Sequence, residues 1–472
     1  MAGGAPFRHW IAGNAVEADA SRWSLKVRPG DRREVLGEVP LDDVAGAQQA
    51  VQAARDAQPQ WASLPGPARA QALNQWASAI EARTDELASV LSTEVGKPIT
   101  EAKGEVGRCS MILRYFAGEA VREAGVVIPA QSPNALQYTV HDPLGVVAAI
   151  TPWNFPLAIP LWKAAPALAF GNAVVLKVSE LSPRTGELLA ETSRVLPSGV
   201  FNVVQGDGAV GAALCNDEQV AAVTFTGSAA AGHKVAMACV ARNAKFQCEM
   251  GGKNVAIVLD DANLDLAASL IAAGAMRYAG QKCTATSRVV IQDRVYDDVM
   301  ARLQAAIDAL PIGPESDPAC AVGPLIDERA FQRVEGILAG AAREPMTGPL
   351  AYGFYVRPYV FSEVALDAPV AREEIFGPVL AAFRVASDDE ALAIANDTPY
   401  GLSASVLTTS VTRAMPFVRG LQAGMVRVNG DTTGVDPHAP FGGLKGSSSH
   451  SREQGPAARD FFTEIRTIQI NA

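Results

Sequence analysis

A single cysteine, Cys283, stands between a basic residue and a run of hydroxyl side chains in AGQKCTATSR, residues 279–288. Gly280 precedes it and predicts a break after the helical pattern SLIAAGAMRYA. A thiol that follows a glycine turn is either a small buried hydrophobe or a nucleophile, because its surroundings decide its reactivity. These residues alone leave both interpretations open.

A second group of residues has the right type and position to bind a nucleotide. The segment VTFTGSAAAGHKV places Gly227 and Ser228 between a predicted strand and a helix. A helix N-terminus suits a pyrophosphate, but the spacing departs from GxGxxG, and Ser228 is equally interpretable as an ordinary N-cap. Lys177 and Glu180, at the end of another predicted strand, are either ribose contacts or a solvated pair.

The composition restricts which partners the chain binds. Its 472 residues are 49% hydrophobic and 19% charged, with a formal net charge of −10. This length predicts two or three packed units rather than one small core. Nucleic acids and anionic membranes attract basic surfaces, and the chain has no block rich in lysine and arginine. We therefore expect a small-molecule partner, with no nucleic acid and no membrane.

The sequence also indicates where the protein is located in the cell and whether its cysteines bind a metal. No apolar run reaches the length that spans a bilayer, and MAGGAPFRHWIAG lacks a secretory signal pattern, so a cytoplasmic protein is expected. The cysteines form no CxxC pair and have no histidine nearby at metal-ligand spacing. Reduced thiols and no metal are predicted for the six positions, Cys109, Cys215, Cys239, Cys248, Cys283 and Cys320.

The elements that must position these residues alternate along the chain. Residues 42–120 have a helical pattern, and an extended segment over 123–143 reads as strands and turns. From GVVAAI onward, short apolar strands alternate with helices, which predicts a doubly wound parallel sheet that binds a dinucleotide at its carboxyl ends. A second alternating series predicts a second α/β domain. The final FFTEIRTIQINA predicts a strand that adds to another sheet edge, in this chain or in a second subunit.

Seven motifs occur in an order and spacing that resemble the NAD(P)-dependent aldehyde dehydrogenase superfamily. They are TPWNFP (151–156), VVLKVSE (174–180), FTGS (225–228), EMGGK (249–253), GQKC (280–283), EEIFGPV (373–379) and PFGGLKGS (440–447). The resemblance implies a nucleotide-binding domain over 1–122 and 144–248, and a catalytic domain over 249–445. It also implies a small β oligomerisation element over 123–143 and 456–472, in a homodimer or homotetramer.

The resemblance also assigns catalytic roles. Cys283 matches the nucleophile, whose thiolate would form a thiohemiacetal and then a thioester. Asn154, elsewhere a plain turn residue, matches the side-chain donor to the developing oxyanion, and the backbone N–H of Cys283 is the expected second donor. Glu249 matches the general base that hydrolyses the thioester, and Lys163 matches a lysine of the active-site network.

The cofactor, NAD or NADP, would contact residues in four of the motifs. The resemblance places Glu374 and Phe376 at the nicotinamide ribose and ring, and Lys177 and Glu180 at the adenosine ribose. The complete predicted set is Thr151, Pro152, Trp153, Lys177, Ser179, Glu180, Gly227, Ser228, Glu374 and Phe376. Small Ser179 would admit a 2′-phosphate, so the choice between NAD and NADP stays open.

The substrate is predicted from Arg277, six residues before Cys283 on the expected helix. Succinic semialdehyde dehydrogenases, which the chain resembles, use an arginine there to hold a distant carboxylate; the alternative is a helix arginine paired with a nearby acid. Their second arginine corresponds to Trp162. GQKCTATSR and PFGGLKGSSSHSREQG resemble bacterial 2-oxoglutarate semialdehyde dehydrogenases. The predicted substrate-pocket residues are Trp162, Arg277, Lys282, Thr284, Val435 and His438.

An acid semialdehyde is therefore the favoured substrate class. An aromatic or general aliphatic aldehyde dehydrogenase, which Trp162 favours, is the main alternative. A nucleotide-binding homologue without activity is the third. His438 is better explained as a surface residue of its loop than as a catalyst.

Overall fold

The structure is a computed structural model that describes residues 4–471. Its α-helices are α1 (Val44–Ser63), α2 (Gly66–Glu81), α3 (Thr84–Val95), α4 (Ile99–Glu119), α5 (Ala158–Ala169), α6 (Pro183–Thr192), α7 (Gly208–Asn216), α8 (Ala229–Ala241), α9 (Leu264–Met276), α10 (Tyr296–Asp308), α11 (Glu328–Ile337), α12 (Pro369–Arg372), α13 (Asp388–Asn396), α14 (Val411–Gly420) and α15 (Ala457–Phe462).

Its strands are β1 (His9–Ile11), β2 (Asn14–Val16), β3 (Trp23–Arg28), β4 (Asp31–Pro40), β5 (Val127–Ile128), β6 (Ala135–Pro143), β7 (Val146–Ile150), β8 (Ala173–Lys177), β9 (Phe201–Val204), β10 (Val220–Thr226), β11 (Lys245–Glu249), β12 (Asn254–Val258), β13 (Thr286–Gln292), β14 (Tyr359–Phe361), β15 (Val379–Val385), β16 (Tyr400–Gly401), β17 (Ser403–Leu407), β18 (Met425–Val428), β19 (Leu444–Lys445) and β20 (Thr463–Asn471).

The first large sheet has the order β11-β10-β7-β8-β9-β1-β2. Its first five strands run parallel, and the hairpin β1-β2 adds antiparallel at one edge. Strand β7 is buried along its whole length, because helices cover both faces of the sheet. One face packs against α2, α4 and α5, and the other packs against α1, α7 and α8. The predicted doubly wound parallel sheet is confirmed.

The second large sheet has the order β14-β15-β13-β12-β17-β18, and all of its strand pairs are parallel. Apolar side chains of β12, β13, β15 and β17 pack with those of α9 and α10 in a separate cluster. The predicted second α/β unit is confirmed. The domain boundaries taken from the resemblance stay a prediction.

A third, three-stranded sheet has the order β20-β6-β5. Strand β20 pairs antiparallel with β6 along its whole length, from Thr463 opposite Pro143 to Asn471 opposite Ala135. The terminal segment therefore adds to the 123–143 extension of its own chain. The expectation that the strand includes the two phenylalanines of FFTEIR was wrong, because Phe461 and Phe462 are buried at the end of α15.

Among residues 4–471 no helix is long and apolar enough to cross a bilayer.

Helix α4 crosses the main apolar cluster, and its Leu113 is fully buried. We predict that Leu113→Ala lowers the free energy of unfolding by about 2–5 kcal/mol, because the lost side chain leaves a cavity. Urea unfolding followed by circular dichroism measures the change. The matched control is Leu25→Ala, whose side chain is 59% exposed; it should change the free energy of unfolding by less than about 0.5 kcal/mol. Equal losses in both variants would contradict the prediction.

Candidate active site

The candidate residues lie where the strands of the first sheet end and those of the second begin. Four follow adjacent strands of the first sheet: Asn154 after β7, Lys177 at the end of β8, Gly227 after β10 and Glu249 at the end of β11. Two precede strands of the second sheet, namely Cys283 before β13 and Glu374 before β15. Strand β11 continues into β12 through residues 250–253 alone. Parallel strands thus bring distant segments to one place.

The loop that carries Cys283 begins with an abrupt end of α9 at Met276. Tyr278 and Ala279 have left-handed backbones, with φ of 57° and 52°, and Gly280 follows with φ of 68°. The predicted helix through Ala279 was therefore wrong, and Arg277 lies beyond the end of α9 rather than on it. The helix ends here because of tertiary contacts. The Tyr278 ring is fully buried, and the backbone N–H of Tyr278 donates to the Ala321 carbonyl at 3.0 Å.

Gly280 also requires its lack of a side chain. A Cβ at this position would collide with the carbonyl oxygen of Gly377. The loop can therefore pack against the segment that carries Glu374 and Phe376 only with glycine here.

The Cys283 thiol lies among carboxylates and apolar groups. Its side chain is partly exposed, and its carbonyl accepts a hydrogen bond from Asn254 Nδ2 at 2.8 Å. Burial, with the negative charges of Glu374 and Glu249, raises the pKa of the thiol to about 12. The thiol is therefore neutral at pH 7, and a nearby base has to take its proton before it becomes a nucleophile.

Asn154 lies beside the Cys283 loop. It is 3% exposed, and its Nδ2 donates to the Gln281 carbonyl at 3.1 Å, two residues before the thiol. Gln281 is itself fixed, because its Nε2 donates to the Pro324 carbonyl at 3.1 Å and its Oε1 accepts the Ile326 N–H at 2.9 Å. The side-chain amide and the thiol loop, 127 positions apart in sequence, thus come into contact.

Glu249 is buried, and its environment makes it a strong base. Oε2 accepts a hydrogen bond from the Ser448 hydroxyl, while Oε1 has no partner among the described residues. Burial and the charge of Glu453 raise the pKa of Glu249 well above its usual value. A carboxylate with a raised pKa and one free oxygen is suited to accept a proton from a water molecule.

Glu453 is a residue of the candidate site that the sequence reasoning missed. It forms a buried ion pair with Lys163, whose Nζ also donates to Thr224 Oγ1 at 3.0 Å. Lys163, predicted as part of the active-site network, therefore links to Glu249 electrostatically through Glu453. Glu453 lies in SREQG, which follows the last of the seven motifs. The sequence alone does not indicate a partner for this carboxylate, because only the folded chain brings it to Lys163 on α5.

Glu374 and Phe376 flank the Cys283 loop on the other side. Glu374 Oε1 accepts the Gly252 N–H at 3.1 Å, and burial raises the pKa of its carboxyl. Phe376 has a positive φ of 56°, and its ring contacts Trp153 edge to face at 5.5 Å between centroids. The structure thus brings together two of the predicted nicotinamide contacts and one residue of TPWNFP.

The remaining predicted cofactor contacts lie at neighbouring strand ends. Lys177 is buried, and its Nζ lies 3.8 Å from Glu180 Oε2 and 3.0 Å from the Val178 carbonyl. Ser228 does cap α8, accepting the Ala231 N–H at 3.3 Å, as the plain interpretation required. This bond leaves the role of the turn in pyrophosphate binding a prediction. The other members of this set are Thr151, Pro152, Ser179 and Gly227.

The predicted substrate residues differ in how far they are buried and in what they contact. Trp162 is buried against Phe441, with 5.2 Å between ring centroids, and its indole N–H has no partner among residues 4–471. Lys282 forms an ion pair with Glu101 at 2.9 Å. The Thr284 side chain is buried, Val435 is half-buried against the main apolar cluster, and His438 is exposed. Their contact with substrate stays a prediction.

Arg277 is exposed and has no carboxylate within ion-pair distance in the part of the chain that the structure describes. The alternative interpretation, an arginine paired with a nearby acid, is therefore wrong for this structure. An unpaired guanidinium is free to bind a carboxylate supplied from outside.

All six cysteines are free thiols. Within residues 4–471, no cluster of three or more histidine, cysteine, aspartate or glutamate side chains has the arrangement of a metal site.

Comparison with known proteins gives a consistent picture. Residues 16–468 match the model of the aldehyde dehydrogenase family. An alpha-ketoglutaric semialdehyde dehydrogenase of Bacillus subtilis is 42% identical, over 98% of both chains. An alpha-ketoglutarate semialdehyde dehydrogenase of Haloferax volcanii is 39% identical, also over 98% of both. The solved NAD-dependent aldehyde dehydrogenase of Sinorhizobium meliloti is 36% identical with a TM-score of 0.93, covering 99% of this chain and 95% of its own.

The raised thiol pKa gives a direct test. We predict that alkylation of Cys283 by iodoacetamide accelerates by about tenfold per pH unit between pH 7 and 10, because only the thiolate reacts. Glu374→Gln should raise the rate at pH 8, since it removes a negative charge that opposes the thiolate. Mass spectrometry of the peptide that contains residues 279–288 measures the rate. The control is Glu373→Gln, an exposed neighbour. A rate independent of pH above 8 would show that the thiolate is already formed.

Proposed function

Because the chain belongs to the aldehyde dehydrogenase family, we propose that it oxidises an acid semialdehyde, such as 2-oxoglutarate semialdehyde, to the corresponding dicarboxylate. Enzymes of this family oxidise aldehydes with NAD or NADP. The observation that carries the catalytic part is the contact between the Asn154 amide and the Cys283 loop at 3.1 Å. It brings an oxyanion donor and a nucleophile to one site.

The first step is attack by Cys283 on the aldehyde carbon as the thiolate, after the thiol proton has passed to a water molecule. A hydride leaves an adduct more readily than a planar carbonyl, which is why a nucleophile is required. The carbonyl oxygen becomes negative in the thiohemiacetal, and the Asn154 amide and the Cys283 backbone N–H stabilise it there. Loss of hydride leaves a thioester on the sulfur.

The second step is hydrolysis of that thioester. Glu249, with its free Oε1 and raised pKa, takes a proton from water, which then attacks the thioester carbon. The acid product leaves and Cys283 is restored. The ion pair of Lys163 and Glu453 lies near Glu249, and both of its charges influence the pKa of Glu249 during this transfer.

The residues at the strand ends fit a nicotinamide dinucleotide. Thr151 Oγ1 and Thr226 Oγ1 are buried and lack hydrogen-bond partners among the described residues. Gly251 leaves room that a Cβ would fill against Glu374. Lys177 and Glu180 would hold the adenosine ribose, and Glu374 the other ribose. When bound, the nicotinamide ring accepts the hydride.

The substrate class rests on Arg277 and on the two relatives above, which are semialdehyde dehydrogenases. The guanidinium is exposed, lacks an acidic partner and lies six residues from the thiol. A carboxylate at the far end of a short aldehyde would pair with it. Trp162 supports the second candidate, an aromatic or aliphatic aldehyde, because its buried ring faces Phe441 rather than offering a second positive charge.

The oligomeric state is also part of the proposal. Strands β6 and β20 expose apolar side chains, with Leu136 51%, Ile465 65% and Ile470 53% exposed. Apolar groups on the outside of a small sheet favour association with another subunit, so we assign a homodimer or homotetramer.

The assigned base predicts a separation of the two steps. In Glu249→Gln, we expect a burst of about one reduced cofactor per site, then turnover slower by about 10²–10⁴-fold, because water is no longer activated. Stopped-flow absorbance at 340 nm follows the burst, since reduced nicotinamide absorbs there. The control is Glu328→Gln on the surface. Loss of the burst itself would place Glu249 in the acylation step instead.

Arg277 predicts substrate selectivity. Arg277→Ala should lower kcat/KM for carboxylated aldehydes by about 10–100-fold, the worth of a charge-assisted hydrogen bond, and leave uncharged aldehydes nearly unaffected. A panel of both classes, assayed with NAD and with NADP, measures this. The matched control is Arg329→Ala, another exposed arginine without an ion pair in the described chain. Unchanged kcat/KM for both classes would favour the aromatic or aliphatic alternative.

A further inference from the structure

Lys97 is a charged side chain enclosed within the protein next to the candidate site. It is fully buried, and its Nζ forms an ion pair with Glu105 on α4. The same Nζ donates to the carbonyl oxygen of Asn154 at 2.7 Å. An ammonium in this position satisfies a backbone carbonyl that the fold has removed from water.

Glu105 holds the residues that follow Asn154. Its Oε2 pairs with Lys97, and its Oε1 accepts the backbone N–H groups of Leu157 and Ala158, each at 3.0 Å. These two N–H groups belong to the start of α5, where the first donors of a helix have no partner within it. The pair therefore fixes the Asn154 segment by its carbonyl and by the N–H groups three and four residues later.

Lys97 also contacts the segment that leads to Cys283. Its Nζ lies 3.8 Å from the ring centre of Phe155 and 4.7 Å from that of Tyr278. Tyr278 is the first of the three positive-φ residues that turn the chain toward the thiol. One ammonium thus touches both segments that supply an oxyanion donor, the side chain of Asn154 and the backbone of Cys283.

We propose that Lys97 and Glu105 are a positioning pair, which fixes the Asn154 amide and the Cys283 backbone N–H relative to each other. The proposal rests on the proposed function, in which these two groups stabilise the oxyanion. Lys97 does not touch substrate, because its side chain has no exposed surface. Its effect passes through Asn154, and donors held to within a fraction of an ångström are what transition-state stabilisation requires.

A purely structural role would have a different signature. A buried ion pair contributes little net stability compared with apolar residues of the same size, whereas losing one partner leaves an uncompensated charge. Loss of Lys97 would therefore lower stability in either case. Only a positioning role makes its kinetic effect depend on the presence of the Asn154 amide.

The test is a double-mutant cycle on the acylation rate constant, taken from the stopped-flow burst of the full-length enzyme. We expect Lys97→Met to slow acylation by about 10–10²-fold, the size of effect that a misplaced catalytic group produces. Asn154→Ala should slow it by about 10²–10³-fold. The double variant should lie within about threefold of Asn154→Ala, because the donor that Lys97 positions is already absent.

Matched variants separate this effect from folding. Lys103→Met removes an exposed lysine from α4, the helix that carries Glu105; Lys103 pairs with Asp85, and this variant should acylate at the parent rate. Glu105→Gln keeps an acceptor for the two N–H groups and removes the charge, so it replaces Lys97→Met if that variant fails to fold. Cys283 alkylation and cofactor affinity should match the parent in each folded variant, because neither depends on the Asn154 amide.

Multiplicative losses in the double variant, or a Lys97→Met enzyme that acylates at the parent rate, would overturn the positioning role and leave the proposed function intact. Parent-like acylation by Asn154→Ala alone would overturn the oxyanion role of Asn154, and the inference with it. The two failures are distinguishable, because the first appears in the cycle and the second already appears in the single variant.

Discussion

Negative charge buried around one sulfur atom is the constraint on which the site depends. Glu249 and Glu453 are buried and Glu374 is half-buried, and the charges of Glu374 and Glu249 act directly on the Cys283 thiol. Each carboxylate is held by few donors: Glu249 by a serine hydroxyl, Glu374 by a backbone N–H, and Glu453 by a lysine and a threonine hydroxyl. A site so short of donors raises the pKa of the Cys283 thiol and of Glu249, which makes the thiol harder to ionise and the Glu249 carboxylate a better proton acceptor.

The architecture supplies this environment by joining two parallel sheets end to end. Loops that leave the carboxyl ends of β7, β8, β10 and β11 meet loops that enter β13 and β15. Several side chains at the meeting point, such as Asn154 and Glu249, are buried, so charges there interact strongly. Burial also means that polar backbone groups need partners inside the protein. The Lys97 ammonium is one such partner, since it donates to a backbone carbonyl and contacts two aromatic rings.

Local patterns were sufficient for the fold class but not for the geometry of the loops. The doubly wound sheet followed from short apolar strands such as β7 and β8, because burial on both faces leaves a clear apolar run. The helix expected through Ala279 ended early, because burial of the Tyr278 ring overrides the helical preference of its neighbours. Glu453, Ser448 and Lys97 went unnoticed for another reason: each acts on a residue more than fifty positions away, a pairing that only the tertiary structure creates. The individual roles of the motif residues still rest on resemblance.

The link between the sheets has a mechanical consequence. Glu249 is the last residue of β11, and the Gly252 N–H that holds Glu374 lies three residues later, in the only segment that joins β11 to β12. A rotation of one sheet relative to the other would have to occur about residues 250–253, and it would displace both carboxylates. Glu249 and Glu374 would therefore move together, because the N–H group that binds Glu374 lies only three residues after Glu249.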